Sequence, residues 1–185
     1  MRVFDNIFDK KFLDELSNTL RYTTWSLNNS ANRTTWPYGE RGTHRLLGNT
    51  LFNRKTIDII EYNYDDLQLS HKAIEMFYAI QAHTKRSLYL EQIATNCQFI
   101  GMDATNHTDK IDTNAKEYSF ILMLCDDIID DNQGGEFINE TLGETVPFRY
   151  GRLIEFETHE VHRGMAFKIP NVARYSLKFV GKEIG

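Results

Sequence analysis

A histidine and an aspartate lie two residues apart in the stretch NHTDKIDTNAKEYSFILML, residues 106–124. They are His107 and Asp109, and the apolar run that closes the stretch is typical of a buried strand. At a turn that leads into a strand, side chains two residues apart can project the same way. A neutral imidazole and a carboxylate placed in this way can occupy two adjacent positions on a metal ion. The pair therefore predicts two ligands of a site that needs a third.

The third ligand is expected in the stretch THEVHRG, residues 158–164, which follows the strand pattern GRLIEFE. It contains His159 and His162, and from the residues alone either histidine can complete the set. Two histidines and one carboxylate on one face of a metal form the facial triad typical of non-haem Fe(II) oxygenases, which leaves three positions open. A zinc-protease site is excluded, because the HExxH motif needs its histidines four residues apart on a helix.

Composition restricts the class of protein to which such a site can belong. The chain has 185 residues, 41% of them hydrophobic and 25% charged, so we predict a single globular domain over 1–185. A formal net charge of -5 argues against a general affinity for nucleic acid or anionic membranes. The start MRVFDNIFDKKF has no apolar signal segment, and no apolar run is long enough to span a bilayer. With only Cys97 and Cys125 and no CxxC pair, a soluble, cytoplasmic protein is expected.

Residues 1–90 are predicted to be helical and irregular support. One amphipathic helix is expected in DKKFLDELSNTLRY with Asp9 as its N-cap, and another in SHKAIEMFYAIQAHTKR with Ser70 as its N-cap. The segment Trp25–Gly48 is rich in Asn, Thr and Gly, which predicts a long loop. With Trp36, Tyr38 and Arg41 it can be a cover over a substrate site or a plain surface excursion.

Beyond about residue 90 the pattern changes to short strands separated by clusters of Asn, Gly, Asp and Pro. The segment YSFILMLC (118–125) is almost continuously apolar, as expected for a strand buried on both faces. In ARYSLKFV (173–180) apolar and polar side chains alternate, so Arg174, Ser176 and Lys178 share one face. Helices followed by strands, without βαβ alternation, predict an α+β fold around a β-sandwich or jelly roll at 91–182. The polar face of the last strand would line a cavity.

These patterns resemble the double-stranded β-helix of the Fe(II)/2-oxoglutarate-dependent dioxygenases, closest to the prolyl 4-hydroxylase-like branch. The matching motifs are HTD at 107–109, YSFILML at 118–124, GGEF at 134–137, PFRYGRLIEFETHEVHRG at 147–164 and RYSLKF at 174–179. The resemblance covers about residues 93 to 180, and the first 90 residues contain no motif that matches. It implies a cupin-like jelly roll with the N-terminal helices packed on the outer face of the major sheet.

The resemblance also implies roles for five residues. His107, Asp109 and His162 would be the catalytic iron ligands, and Arg174 with Ser176 would bind the distal carboxylate of 2-oxoglutarate. A guanidinium suits a carboxylate better than an ammonium does, because its N–H groups form a planar fork. The cofactors would be Fe(II), 2-oxoglutarate as co-substrate, and O2. His159 remains an alternative to His162 as a ligand, and if it does not bind the metal, His159 or Glu160 could instead support a ligand.

The implied activity is oxidative decarboxylation of 2-oxoglutarate coupled to hydroxylation of a substrate C–H bond. Peptidyl proline, a free amino acid and another small molecule are all compatible with the residues. The nucleic-acid demethylase branch is disfavoured, because Val180 stands where that branch has a second arginine. The alternative from a different class is a cupin-like metal- or ligand-binding protein without oxygenase turnover. The sequence does not predict the oligomeric state.

Overall fold

A computed structural model describes residues 1–30, 45–56, 58–110, 116–125 and 133–184. The helices are α1 (Lys10–Tyr22) and α2 (Leu67–Thr84), and a 3-10 turn (Tyr64–Asp66) precedes α2. The first strands are β1 (Arg2–Phe4), β2 (Ser26–Ser30), β3 (Arg45–Thr56), β4 (Ile59–Tyr62) and β5 (Leu88–Gln98). The later strands are β6 (Glu117–Cys125), β7 (Phe137–Asn139), β8 (Glu144–Val146), β9 (Leu153–Glu157), β10 (His162–Gly164) and β11 (Arg174–Glu183).

The N-terminal ends of the two helices differ in how well the sequence predicts them. The carboxylate of Asp9 accepts from the backbone N–H groups of Lys11 and Phe12, so the predicted cap of α1 is confirmed. The predicted cap of α2 is wrong, because this helix begins at Leu67 and Ser70 lies inside it. The buried Ser70 hydroxyl instead donates to the backbone oxygen of Leu51 on β3. It therefore ties the helix to the sheet.

The strands form two sheets that face each other. The major sheet has the order β1-β9-β6-β11-β5-β3-β2, with β4 paired to β3, and the minor sheet has the order β10-β7-β8. Neighbouring strands are antiparallel, as in a double-stranded β-helix. The predicted α+β jelly roll is confirmed. The expectation that residues 1–90 are only helical and irregular is wrong, since β1 to β4 lie there and extend the major sheet.

Alternation along β6 divides the apolar interior into two layers. Leu122 packs in the outer layer, which contains the buried faces of α1 and α2. Met123 packs in the inner layer, between the major and minor sheets. We call the side of the major sheet that faces the minor sheet its inner face. The buried pattern of β6 confirms the prediction from its continuous apolar sequence.

The prediction of a loop over Trp25–Gly48 is wrong near both ends of the segment. Ser26–Ser30 form β2 and residues 45–48 belong to β3, and the Trp25 ring stacks on Tyr175 of β11 with centroids 5.8 Å apart. Trp36, Tyr38 and Arg41 lie outside the described residues, and with them the predicted cover. In the described part of the chain, neither helix is long and apolar enough to cross a membrane.

Candidate metal centre

Three side chains that can bind a metal converge between the two sheets. His107, Asp109 and His162 each offer one ligand atom, and these atoms all lie within 4.8 Å of one another. The Nε2 atom of His162 is 3.9 Å from Oδ2 of Asp109, and the two imidazole centroids are 4.4 Å apart. Two imidazoles and one carboxylate form a donor set that suits a divalent transition metal.

Backbone pairing fixes the register of these residues. The peptide groups of His107 and His162 exchange N–H···O bonds of 3.0 and 2.9 Å in an antiparallel bridge. The N–H of Asp109 donates to the oxygen of Thr158 at 2.9 Å, so the His-x-Asp segment stays aligned beyond the bridge. Because residues opposite one another in an antiparallel pair project to the same side, the third ligand meets the first two.

Each imidazole is oriented by a hydrogen bond from the nitrogen that faces away from the cluster. Nδ1 of His107 donates to the backbone oxygen of Thr105, and Nδ1 of His162 donates to that of Glu160, both at 2.8 Å. A carbonyl can only accept, so the proton lies on Nδ1 and the lone pair on Nε2. Metal-binding histidines commonly have their ring orientation and tautomer fixed in this way. Both rings therefore present Nε2 as a ligand.

The carboxylate of Asp109 is held by two donors from the inner face of the major sheet. The Lys178 ammonium on β11 is 2.7 Å from Oδ1, and the Ser119 hydroxyl on β6 donates to Oδ2. Burial alone would raise the pKa of Asp109, but the positive charge of Lys178 lowers it well below its usual range. Asp109 is therefore ionised at neutral pH, as a metal ligand must be.

Burial also sets the charge of His162. It lies under Phe137 and Phe156, with ring centroids at 5.5 and 4.4 Å. Desolvation lowers the pKa of His162 to about 3, against the opposing effect of the Asp109 carboxylate. The imidazole is neutral at physiological pH, so a metal ion does not have to displace a proton from it.

A buried arginine lies on the same inner face, at the start of β11. Arg174 donates through Nε to the oxygen of Gly135 at 3.0 Å and through Nη1 to Oε1 of Gln98 at 2.7 Å. Its Nη2 is buried and has no hydrogen-bond partner among the described residues. Desolvation lowers the pKa of Arg174 to about 10, so it keeps its charge at neutral pH. A carboxylate that reached Nη2 would satisfy both the open donor and the buried charge.

Neighbouring residues fix the position of the Arg174 guanidinium. Ser176 is buried two residues further along β11, on the same face as Arg174. A Cβ atom on Gly164 would be 3.4 Å from Nη1 and Nη2 of Arg174, so the glycine lets β10 pack close to the guanidinium. Gln98 is fixed in turn, because its Nε2 donates to the backbone oxygens of Met102 and Gly164.

The other described histidines, His71, His83 and His159, are not part of this cluster. His159 is outside it, and its Nδ1 is 3.5 Å from a Glu157 carboxylate oxygen. Of the two histidines predicted as ligands after β9, the structure thus brings only His162 to His107 and Asp109. His71 and His83 are exposed on α2, as expected for surface residues, and His44 is not among the described residues.

Among the described residues, sequence reasoning missed three whose side chains hydrogen-bond to the cluster or to the buried arginine: Ser119, Gln98 and Lys178. A signal existed for Lys178, because alternation places it on the face of Arg174 and Ser176. The alternation of β6 could likewise have placed Ser119 on the side of Ile121 and Met123. Gln98 could not have been found in this way, since its contact with Arg174 depends on which strand pairs with β11.

No protein-family model matches the chain, and no curated protein matches it in sequence. Solved structures do match. An oxidoreductase of the 2OG-Fe(II) oxygenase family from Burkholderia pseudomallei superposes with a TM-score of 0.69 at 15% identity, covering 97% of this chain and 84% of that one. A Pseudomonas putida prolyl-4-hydroxylase superposes with a TM-score of 0.60 at 13% identity, covering 100% and 92%.

A third similar structure is a prolyl hydroxylase from Trichoplax adhaerens in complex with a peptide fragment of hypoxia inducible factor. Its TM-score is 0.63 at 11% identity, and the match covers 98% of this chain and 82% of that one. At such low identities the likeness establishes the fold, which is the one predicted from the sequence motifs. The chemistry has to be argued from the residues of this chain.

Proposed function

We propose that this protein is an Fe(II)- and 2-oxoglutarate-dependent oxygenase that hydroxylates a substrate C–H bond. One observation carries the proposal: a cluster of two histidines and one carboxylate shares an interior face with a buried arginine whose Nη2 has no partner among the residues that the structure describes. The cluster suits Fe(II), and the arginine suits the distal carboxylate of a diacid that also binds the metal. The fold relatives described as 2OG-Fe(II) oxygenases support this combination.

In the proposed site the iron is held by Nε2 of His107, Nε2 of His162 and the carboxylate of Asp109. The carbonyls of Thr105 and Glu160 keep the two imidazoles oriented for this task. When bound, the iron supplies the reaction of O2 with the co-substrate and the oxidation of the substrate C–H bond. The protein contributes a rigid set of ligands and an apolar wall that limits access of water.

Arg174 and Ser176 are proposed to hold the distal carboxylate of 2-oxoglutarate. The free Nη2 donor gives the carboxylate a charge-assisted hydrogen bond, and the Ser176 hydroxyl can add a second. Gln98 and Gly135 restrict the guanidinium to one position, so little entropy is lost when the ligand binds. The keto acid end of the co-substrate would then reach the metal from a fixed direction.

For the substrate we propose a peptide or a small molecule, with peptidyl proline as the first candidate. The support comes from the Trichoplax prolyl hydroxylase, whose structure contains a peptide, and from the Pseudomonas prolyl-4-hydroxylase. A panel of proline peptides, free amino acids and small metabolites can be incubated with the iron-loaded protein, 2-oxoglutarate and O2. A product heavier by one oxygen atom, found by mass spectrometry, identifies the substrate class.

We further propose that residues 1–185 act as one oxygenase domain in the cytoplasm. Strands from the first third of the chain complete the major sheet on both sides: β1 beside β9, and β3 beside β5. Cys97 and Cys125 are buried thiols opposite different residues of β11, which is compatible with a reducing compartment. Proteolysis that gave a stable fragment beginning near residue 91 would contradict the single-domain proposal.

The oxygenase proposal can be tested without knowing the substrate. Calorimetry under anaerobic conditions should show 2-oxoglutarate binding to the metal-loaded protein and not to the metal-free protein. With Fe(II) and O2, slow uncoupled turnover should form succinate in proportion to the 2-oxoglutarate consumed. A protein that binds metal but neither binds nor converts 2-oxoglutarate would instead be a cupin-like metal-binding protein.

A further inference from the structure

Lys178 is not among the residues proposed to bind iron or 2-oxoglutarate, yet it contacts Asp109, one of the proposed metal ligands. It lies four residues after Arg174 on the same face of β11. Its ammonium is 2.7 Å from Oδ1 of Asp109, and the lysine side chain is 19% exposed while the aspartate side chain is 3% exposed. The contact joins β11 of the major sheet to the segment that contains His107 and Asp109.

The two oxygens of Asp109 have different surroundings. Oδ1 faces the ammonium of Lys178, whereas Oδ2 accepts from Ser119 and is the oxygen 3.9 Å from Nε2 of His162. An oxygen has two lone-pair directions, so Oδ2 can accept from Ser119 and still bind a metal beside His162. Because Oδ1 is bound to the ammonium of Lys178, it is not available to bind the metal. The carboxylate is thereby prepared for one-oxygen binding.

We infer that Lys178 is a positioning residue that makes Asp109 a one-oxygen ligand and so keeps one metal position open. This rests on the proposed function, since two histidines and one carboxylate oxygen leave three positions for the co-substrate and O2. Without the ammonium, the freed Oδ1 can turn to the metal and take up a fourth position. The co-substrate would then have to displace a protein oxygen in order to chelate.

The number of metal-bound waters tests this inference directly. Water-proton relaxation of the Mn(II)-loaded protein should report about three exchangeable waters for the wild type and for Lys178→Arg, which keeps the charge, and about two for Lys178→Met. The anaerobic dissociation constant of 2-oxoglutarate should rise about tenfold in Lys178→Met and return toward the wild-type value in Lys178→Arg. A merely structural lysine would leave the water count unchanged.

A measurement on the wild type covers the case in which Lys178→Met does not fold. A crystal structure of the Mn(II)-loaded wild-type protein should show Oδ2 of Asp109 on the metal and Oδ1 still bound to Lys178. Two-oxygen coordination, or a lysine that has moved away from Asp109, would overturn the inference. So would a Lys178→Met protein with wild-type water count and 2-oxoglutarate affinity.

Failure of the oxygenase proposal has a different signature. A wild-type protein that takes up Mn(II) with about three waters but never binds 2-oxoglutarate would contradict the oxygenase function. The coordination of Asp109 would still be measured in that protein by the water count and by the crystal structure. The two proposals can therefore fail separately.

Discussion

Replacement of Arg174 with methionine tests the proposal that this residue binds the distal carboxylate of 2-oxoglutarate. Arg174 is 2% exposed, two of its nitrogens donate to Gly135 and Gln98, and Nη2 has no partner in the described chain. Without it, a bound carboxylate would be buried with no counter-charge. Truncating one partner of a buried, hydrogen-bonded charge pair costs about 2–5 kcal/mol. The dissociation constant of 2-oxoglutarate should therefore rise by about 30-fold to several thousand-fold.

In the ligand-free protein, the same replacement should change the free energy of unfolding much less than it changes the free energy of 2-oxoglutarate binding. Methionine removes a buried cation and an unpaired donor, which is favourable, but it leaves the acceptors on Gly135 and Gln98 without Arg174 as donor. These contributions are about 1–3 kcal/mol each and have opposite signs. Urea denaturation of the metal-free protein measures the net effect. A large loss of affinity with little loss of stability is the expected combination.

The assay is anaerobic calorimetry of 2-oxoglutarate on Mn(II)-loaded protein. Arg163→Met is the matched control, because Arg163 is 34% exposed, lies on β10 and pairs with Glu140 at 2.9 Å. This variant should bind 2-oxoglutarate like the wild type. If Arg174→Met stays within about threefold of the wild-type dissociation constant, the reasoning is refuted. Arg163 or Lys168 then becomes the better candidate for the anchor.

Three further changes test the metal centre, the GGEF turn and the N-terminal contacts. His107→Ala should abolish stoichiometric Fe(II) or Mn(II) binding in calorimetry, because two protein ligands remain. Gly135→Ala should lower the free energy of unfolding by about 2–4 kcal/mol in urea denaturation, since φ is +80° and a Cβ would be 2.3 Å from an aromatic carbon. The hydrogen bond from Arg152 lowers the pKa of Asp5 in the folded protein. The ionised carboxylate therefore contributes stability at pH values above its ordinary pKa of 3.8, and this stability is lost as the pH falls through the lowered pKa. Asp5→Asn should therefore cost about 1 kcal/mol at pH 7, and its difference from wild type should disappear in acid.

Two of these changes have close controls within the chain. His71→Ala removes an exposed histidine of α2 and should leave metal binding intact. Gly143→Ala has a similar positive φ of +66° but no atom within 4 Å of the added Cβ, so it should cost about 1–2 kcal/mol. A Gly143→Ala protein as unstable as Gly135→Ala would contradict the steric explanation. Metal binding by His107→Ala at wild-type affinity would remove this histidine from the ligand set.

The sequence predicts those parts of the molecule that depend on local periodicity. The continuous apolar sequence of β6 predicts its burial on both faces, and alternation along β11 places Arg174, Ser176 and Lys178 on one face. The Asp9 cap follows from local chemistry. The prediction fails where contacts between distant segments decide. The Asn-rich segment of β3 is a strand because β5 pairs with it, and Ser70 lies inside α2 because an earlier turn continues into the helix.

The candidate site, too, can be predicted from the residues only in part. His107 and Asp109 can be paired from their spacing. Without the resemblance, the choice of His162 over His159 needs the backbone bridge that aligns residue 107 with residue 162. The contact between Lys178 and Asp109 joins residues 69 positions apart, and no local pattern contains that information. Periodicity therefore predicts the face on which a residue lies, and only the pairing of strands predicts which residue it meets.

The unpaired Nη2 of Arg174, which has no hydrogen-bond partner in the described part of the chain, also favours the proposed oxygenase over a protein that only binds metal. Leaving a buried donor without a partner costs about 1–3 kcal/mol, a large fraction of the net stability of a domain. A protein that only stores or senses a metal gains nothing from this cost, because Arg174 is not one of the ligands in the cluster. An enzyme that must bind a diacid next to the metal gains binding energy each time the donor is satisfied. The unpaired donor that destabilises the ligand-free protein would thus favour binding of the proposed co-substrate.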